Sequence, residues 1–179
     1  WVEQWNHPAL HVICGKVATD AWFTTALEIE LKKLEGTQIS GGSIDIYKCF
    51  DQINRDLLMK VAMEAGMPLR VLKPYFGFIN NIQMKFQVGQ YIGASHHERS
   101  SIPQGCPFSM AMIALLMRIW VMSVKDHNVT PRCLADDLLF TATGTGVGSR
   151  TLGAMKASRE FFQDMGARVA DNKCFLFTN

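Results

Sequence analysis

The sequence lacks a strong net charge, and it lacks the cysteine spacing of a disulfide framework or a zinc site. Lys and Arg number 18 against 16 Asp and Glu, for a formal net charge of +2, so the total charge alone gives no case for a nucleic-acid partner. The five cysteines are odd in number, widely spaced and without a CxxC pair. Free thiols in a reducing compartment are therefore expected, which favours an intracellular location without separating nucleus from cytoplasm.

The sequence also shows no signal peptide, repeat or low-complexity tract. Its first residues, "WVEQWNHPAL", are polar, and because Trp1 stands in place of an initiator Met we expect a fragment of a longer protein. Residues 106–124 are about long enough to cross a bilayer, but Arg118 falls inside this apolar segment. The sequence therefore favours a buried core helix in a globular chain, with 48% apolar and 19% charged residues.

The hydrophobic pattern alternates between helical and strand periods along the chain. It predicts helices at 18–35, 54–66, 68–81, 107–124 and 150–166, a strand at 43–47, a hairpin of 82–88 with 91–101, two strands within 130–144, and a closing turn and strand at 167–178. This order fits an α+β fold with an antiparallel sheet backed by helices. The first 40 or so residues are predicted to form a separate small lobe.

Two adjacent acidic residues, Asp136 and Asp137, lie within the apolar run "CLADDLLF". Ionised carboxylates are costly to desolvate, and adjacent ones repel each other, so one is driven to protonate unless a cation is near. A hard divalent cation such as magnesium binds carboxylate oxygens, and two such ions about 4 Å apart catalyse in-line phosphoryl transfer. The alternative is an ordinary solvated turn.

Two further motifs precede this pair. In "IDIYKCFDQI" Asp45 lies in a predicted strand, and Phe50 and Asp51 follow it; the alternative is an exposed carboxylate at a strand end. In "SIPQGCPFSM" Pro103 and Gly105 bracket Gln104 in a tight turn that leads into a helix. Backbone N–H groups at a helix start suit an anion or a nucleobase edge, and the alternative is a plain connector.

These three motifs, in this order over about 90 residues, resemble the palm of reverse transcriptases, most closely the non-LTR retrotransposon and group II intron kind. The resemblance covers roughly residues 15 to 177, and Leu134 departs from it where the family places an aromatic residue. The matching positions are Asp45, Phe50 and Asp51, then Pro103, Gln104, Gly105 and Ser109, then Leu134, Ala135, Asp136 and Asp137, then Gly166 and Lys173, with "GKVATDA" (Gly15 to Ala21) resembling the stretch before the first motif.

The resemblance implies a right-hand polymerase palm at 41–179, with a helical and hairpin insertion on the fingers side at about 53–101. Residues 1–40 would be part of the fingers, and no thumb is expected. The missing fingers and thumb would belong to the same polypeptide. Because those parts supply most of the grip on the duplex, we expect the isolated fragment to extend primers poorly.

The resemblance also assigns roles to individual residues. Asp45 and Asp136 would be the main ligands of two magnesium ions, for which manganese is a possible substitute. The implied partners are an RNA template, a DNA primer and a dNTP, and no membrane. The other implied roles are metal contacts for Asp137 and the Ile46 carbonyl, a steric gate against the 2′-hydroxyl for Phe50, substrate contacts for Gln104, Gly105 and Ala135, and a place near the leaving pyrophosphate for Lys173.

Other interpretations remain open at this point. A reverse-transcriptase-like scaffold that binds RNA without catalysis, as in maturase-like splicing cofactors, would share the same fold. The loop "GTGVGS" (Gly144 to Ser149) does not match the spacing of a dinucleotide-binding loop. The adjacent His96 and His97 would point to opposite faces of a strand, which favours exposed hairpin residues over a metal site.

Overall fold

The computed structural model describes residues 1–11, 17–98 and 100–179, and shows helices packed against an antiparallel sheet. The helices are α1 (Val2–Trp5), α2 (Ala18–Leu34), α3 (Cys49–Gln52), α4 (Arg55–Glu64), α5 (Leu69–Asn81), α6 (Pro107–Lys125) and α7 (Val147–Asp164). The strands are β1 (Ile39–Asp45), β2 (Gln87–Val88), β3 (Tyr91–Ile92), β4 (Thr130–Leu134), β5 (Asp137–Thr143) and β6 (Phe175–Thr178), and a 3₁₀ turn covers Asp171–Lys173. The expected α+β class and the antiparallel sheet backed by helices are confirmed.

The main sheet has the strand order β4-β5-β1-β6, with antiparallel pairing at every step. The strand β1 comes first in the sequence but lies inside the sheet, between β5 and β6. Its pairing with β5 covers its whole length, from Ile39↔Thr143 to Asp45↔Asp137. This register places Asp45 and Asp137, which belong to two motifs and are 92 positions apart in the numbering, at the same end of the sheet.

Alternation along the strands separates a core face from a second face. Leu138, Phe140 and Ile44 belong to the main buried cluster, together with nine buried residues of α6. Arg132 points to the other face and donates to Glu28 of α2 at 2.7 Å. The sheet therefore lies between the core helices and α2. The side chains of Asp45 and Asp137 point away from the core, because those of their neighbours Ile44 and Leu138 point into it.

The apolar helix α6 is the centre of the core. It is long and apolar enough to cross a membrane by length and composition alone. In the fold, however, residues such as Trp120 and Met112 are fully buried against the rest of the chain, and the Trp120 indole donates to Ser158 of α7 at 2.9 Å. The expectation of a buried core helix is confirmed.

Two adjacent glycines allow close packing on β1. A Cβ atom added at Gly41 would lie 2.6 Å from the Phe140 carbonyl oxygen and would overlap the Phe177 ring. One added at Gly42 would lie 2.6 Å from the Phe140 Cζ atom. The absence of side chains at these positions lets the rings of β5 and β6 close over the central strand.

The hairpin is shorter than its alternating pattern predicts. Paired strands cover only Gln87–Val88 and Tyr91–Ile92, and an isolated bridge joins Met84 to His96. The hairpin residues from 83 to 95 are exposed, so no buried face stabilises a longer ladder, and an isolated two-stranded ribbon is only marginally stable.

The N-terminal residues 1–11 and α2 both contact the sheet. His11 N–H donates to the Cys133 carbonyl at 2.8 Å, and Cys133 N–H donates to the Ala9 carbonyl at 2.7 Å. These bonds cover one edge of β4. The division into a lobe at 1–40 and a palm at 41–179, with an insertion at about 53–101, stays a prediction.

Substitution at Gly42 tests the packing on β1. We expect Gly42→Ala to lower the free energy of unfolding by about 1 to 3 kcal/mol, because a methyl group would overlap the Phe140 ring. Urea unfolding followed by circular dichroism measures this change. Gly77→Ala is the matched control: it lies in α5 with nothing within 4 Å of its added Cβ, so the free energy of unfolding should rise by about 0.5 to 1 kcal/mol. Equal effects at both positions would contradict the packing argument.

Candidate active site

Asp45 and Asp137 are direct partners across two strands. Asp45 ends β1, Asp137 begins β5, and the two form the last pair of the ladder. Both project to the face opposite the core, because their neighbours Ile44, Ile46 and Leu138 are buried. The pairing therefore places two carboxylates of separate motifs side by side at one end of the sheet.

Asp136 lies in the tight turn that connects β4 to β5. Leu134 pairs with Asp137, so only Ala135 and Asp136 span the turn. Ala135 adopts a left-handed conformation with φ 56°, which is unfavourable for a residue with a side chain, and its carbonyl accepts from the Cys133 Sγ atom at 3.3 Å. The turn thus holds Asp136 next to the Asp45–Asp137 pair at the cost of local strain.

Like charges and burial act together on this group. Burial first, and then the charges of Asp136 and Asp45, raise the pKa of the Asp137 carboxyl above its ordinary value, while Lys173 acts in the opposite direction. The Lys173 ammonium lies 3.3 Å from Asp45 Oδ2 and 3.5 Å from Asp45 Oδ1. The positive charge that the acidic residues require is thus supplied in part by the fourth motif.

The segment that carries Lys173 is attached to the end of β1. Ala170 N–H donates to the Asp45 carbonyl at 2.9 Å, and Tyr47 N–H donates to the Arg168 carbonyl at 3.0 Å. In this type of antiparallel bridge between Ile46 and Val169, the N–H and C=O of Ile46 itself point to the opposite side of the strand. That side is the one on which β5 and the Asp136 turn lie.

Two buried thiols lie beneath the carboxylates. Burial raises the pKa of Cys49 to about 12, and the charges of Asp136 and Asp45 contribute to the increase. The pKa of Cys133 is raised by burial and by the nearby Cys49, Asp136 and Asp137 groups. Both thiols therefore stay protonated at neutral pH, as is usual for buried structural cysteines.

The Pro-Gln-Gly turn lies beside the first motif. Ile102 N–H donates to the Phe50 carbonyl at 3.0 Å, and the Gln104 amide lies 3.5 Å from Asp51 Oδ1. Gly105 has φ 81°, which supplies the turn before α6 begins at Pro107. These two contacts place the Pro-Gln-Gly turn next to residues 50 and 51 of α3.

A cleft of about 330 Å³ runs between α3, the Pro-Gln-Gly turn and the base of the β2–β3 hairpin. Arg55 is a buried arginine in its wall that the sequence does not reveal. It donates to the Ser101 carbonyl at 2.7 Å and to the Glu98 carbonyl at 2.8 Å, which fixes the chain just before the Pro-Gln-Gly turn. The residue follows the N-cap Asn54, so in sequence it is indistinguishable from an exposed helix residue.

Gln52 is a second residue with an unforeseen role. Its amide contacts the carbonyl oxygen of Tyr47, and its Oε1 atom accepts from Arg168 N–H at 2.8 Å. This side chain connects the segment after Asp45 to the segment before Lys173. No spacing rule identifies a glutamine that pairs with backbone groups 116 positions away.

The donor set suits a hard divalent cation, although the side chains are not arranged around one. Within residues 1–11, 17–98 and 100–179, no three or more His, Cys, Asp or Glu residues form a group that could hold a metal ion as they stand. The groups at hand are nonetheless oxygen donors, as magnesium prefers, and a cation would offset the burial and the neighbouring charges that raise the pKa of Asp137.

Comparison with solved structures identifies the same architecture in larger proteins. An apo telomerase from Candida tropicalis, truncated from its C-terminal domain, matches 96% of this chain with a TM-score of 0.66 and 14% identity. The telomerase of the same species, solved in complex with the TWJ fragment of telomeric RNA, matches 97% with a TM-score of 0.69 and 13% identity. The telomerase from Candida albicans, also solved with a TWJ fragment of telomeric RNA, matches 90% with a TM-score of 0.53 and 12% identity.

The chain spans about a third of each of these proteins: 36% and 30% of the two Candida tropicalis chains, and 30% of the Candida albicans chain. A search of curated proteins gives no match. At such low identity the structural likeness establishes the fold, which is a polymerase palm with an antiparallel sheet backed by helices.

The family follows from the sequence itself. The model of the family "Reverse transcriptase (RNA-dependent DNA polymerase)" matches residues 5–179. The chain therefore belongs to the reverse transcriptase family. The resemblance on the three central motifs is confirmed at the level of the family, whereas the role of each site residue stays a prediction. Gly15 and Lys16 of the "GKVATDA" stretch lie outside the described residues.

Removal of one carboxylate tests the electrostatic account. Like charges directly opposite each other destabilise an antiparallel pair, so in a metal-free buffer at pH 7 Asp137→Asn should raise the free energy of unfolding by a few tenths to about 1 kcal/mol. The folded-state pKa of Asp137 exceeds its unfolded value, so the folded state holds the proton more tightly and the wild type loses stability as the pH rises through that pKa.

The gain from Asp137→Asn should therefore shrink as the pH is lowered and the wild-type carboxyl becomes protonated. Urea unfolding at several pH values measures it. Asp164→Asn, at the exposed end of α7, serves as the control. A gain that persists unchanged at acidic pH would contradict the charge-repulsion argument.

Proposed function

We propose that the full protein synthesises DNA on an RNA template as the core of a retroelement reverse transcriptase. The observation that carries the proposal is the convergence of the first and third motifs, in which Asp45 and Asp137 are cross-strand partners and Asp136 occupies the adjoining turn. Family membership supports the polymerase class. The RNA bound in the solved Candida tropicalis telomerase supports an RNA partner for this fold.

The reaction joins a primer 3′-oxygen to the α-phosphorus of a dNTP and breaks the bond from that phosphorus to the β-phosphate oxygen. The primer hydroxyl loses its proton, and pyrophosphate leaves. Asp45, Asp136 and the Ile46 carbonyl would hold two magnesium ions, or manganese in their place, with Asp137 beside them. When bound, the ions lower the pKa of the attacking hydroxyl and stabilise the charge on the leaving oxygen.

The remaining residues orient the substrates. Lys173 lies within contact of Asp45, so it is suitably placed to neutralise the pyrophosphate or to donate a proton to it. Phe50 would pack under the sugar and collide with a 2′-hydroxyl. Gln104, Gly105 and Ala135 would contact the nucleotide or the template, consistent with the exposure of Gln104 and Gly105. An intracellular site of action, nuclear or cytoplasmic, is part of the proposal.

Substitution of Asp136 tests the catalytic assignment. With the full-length protein, a DNA primer on an RNA template, dNTPs and magnesium, Asp136→Ala should reduce the rate of primer extension at least about a hundredfold, because a metal ligand is lost. Asp126→Ala removes an exposed carboxylate at the end of α6 and is the control. Equal rates for wild type and Asp136→Ala would refute the role. A wild-type protein that binds RNA but extends no primer would indicate the RNA-binding scaffold instead.

Substitution of Phe50 tests sugar selection. We expect Phe50→Ala to raise the incorporation of rNTPs relative to dNTPs by at least about tenfold, because steric exclusion of a hydroxyl group exceeds 1.4 kcal/mol. Single-nucleotide extension with each substrate measures the ratio of the two kcat/KM values. Phe23→Ala, an exposed phenylalanine of α2, is the control, and an unchanged ratio in Phe50→Ala would remove the gate assignment.

A further inference from the structure

A cluster formed by Tyr47, Lys48 and Arg168 projects from the surface beside the carboxylates. The Lys48 ammonium lies 5.7 Å from the centre of the Tyr47 ring, and the Arg168 guanidinium carbon lies 5.8 Å from the same centre. All three side chains are exposed. Two cations from separate motifs thus lie next to one aromatic ring, each within the range of a cation–π contact. We call this group the Tyr47 cluster.

The backbone beneath the Tyr47 cluster is fixed on both sides. Tyr47 N–H donates to the Arg168 carbonyl at 3.0 Å, and Arg168 N–H donates to Gln52 Oε1 at 2.8 Å. The Gln52 amide also contacts the carbonyl oxygens of Tyr47 and Arg168. Lys48 itself has φ 43°, a left-handed conformation that costs free energy in a residue with a side chain. The two cations are therefore held by built structure and do not lie on free loops.

The Tyr47 cluster lies next to the reacting centre. Tyr47 and Lys48 follow Asp45 by two and three residues, and the segment of Arg168 is bonded to the Asp45 carbonyl through Ala170. Lys173, on the same segment, contacts the Asp45 carboxylate. Lys48, Arg168 and Lys173 thus lie on two segments that are bonded to each other at the end of β1.

Two acidic residues of the flanking segments, Asp51 and Asp171, make contacts elsewhere. Asp171 pairs with Arg159 at 2.7 Å, and the Asp51 Oδ1 atom lies 3.5 Å from the Gln104 amide. Neither Lys48 nor Arg168 forms an ion pair with an acidic residue in the described part of the chain. The positive charge at the Tyr47 cluster is therefore available to an anion from solution.

We propose that Lys48 and Arg168, held beside the Tyr47 ring, bind the β- and γ-phosphates of the incoming nucleoside triphosphate. The proposal rests on the proposed function, because it takes the α-phosphate to lie at the carboxylates. A guanidinium and an ammonium suit phosphate oxygens, and fixed positive charge stabilises the pyrophosphate as it leaves. Phosphate binding by the palm itself would supplement any cations on the fingers.

The test replaces both charges and compares the result with a matched pair. Lys48→Gln/Arg168→Gln removes two cations from the Tyr47 cluster, and Lys60→Gln/Lys156→Gln removes two exposed lysines from α4 and α7. In full-length protein we expect the first pair to raise the KM for dNTP about tenfold or more, with a smaller change in kcat, because charge-assisted hydrogen bonds to the substrate are lost. The Kd for magnesium pyrophosphate, measured by calorimetry, should rise in parallel.

Charge-conserving changes separate a binding role from a structural one. Lys48→Arg and Arg168→Lys keep the charge and should restore most of the affinity for pyrophosphate, whereas a general loss of folding would not be restored. The primer–template Kd should be equal in all variants. An increase in that Kd with an unchanged KM for dNTP would overturn the proposal, as would equal values of KM and pyrophosphate Kd in the two double variants.

The two proposals fail in different ways. Wild-type protein that extends primers while the Tyr47 cluster variant keeps its normal KM for dNTP contradicts the phosphate site alone. Wild-type protein that extends no primer, but binds pyrophosphate more tightly than the Tyr47 cluster variant, contradicts the proposed polymerase function and supports the phosphate site.

Discussion

The pairing of β1 with β5 is the constraint on which the site depends. Its register sets Asp45 opposite Asp137 and places the turn that contains Asp136 at the same end of the sheet. A shift of either strand by one residue would turn the carboxylate of that strand into the core. The register is maintained by the burial of Ile44, Leu138 and Phe140 on the core face, and Phe140 approaches closely because β1 carries Gly41-Gly42.

The segment that carries Lys173 joins the end of β1 through one charge contact and several backbone hydrogen bonds. Carboxylates at one end of the sheet repel one another, and burial first and then this repulsion raise the pKa of Asp137. Lys173 reduces it by contacting Asp45, and a metal ion would compete with that ammonium for the same oxygens. The backbone bonds of residues 168–170 to the segment at the end of β1 hold Lys173 beside Asp45 and Arg168 beside Tyr47.

Much of the fold could be predicted from periodicity, because α4, α5 and α7 each have one apolar face, and Asn54 caps α4 by accepting from the Asp56 and Leu57 N–H groups. The hairpin could not, since an alternating pattern predicts strands without saying whether a second sheet surface exists to stabilise them. The central position of β1 depends on long-range pairing, which local patterns do not encode. The motifs did predict that the first, third and fourth segments meet.

The roles of Gln52 and Arg55 were beyond sequence reasoning for another reason. Each acts through backbone carbonyls of distant segments, so neither has a partner residue whose chemistry or spacing gives a signal. Leu134, where the family places an aromatic residue, pairs with Asp137 across the turn. The apolar residues on either side of Asp136 and Asp137 thus anchor the paired strands β4 and β5, and the two carboxylates project from the turn between these strands.

The most direct test of the account is the number of manganese ions bound per chain, measured by electron paramagnetic resonance with a primer–template and a non-hydrolysable dNTP present. Manganese substitutes for magnesium and is detected without turnover. If Asp45 and Asp136 hold a pair of ions, the wild-type protein should bind two, and Asp45→Asn and Asp136→Asn should each bind fewer. Equal numbers in all three proteins would contradict the central claim that these carboxylates form one metal-binding site.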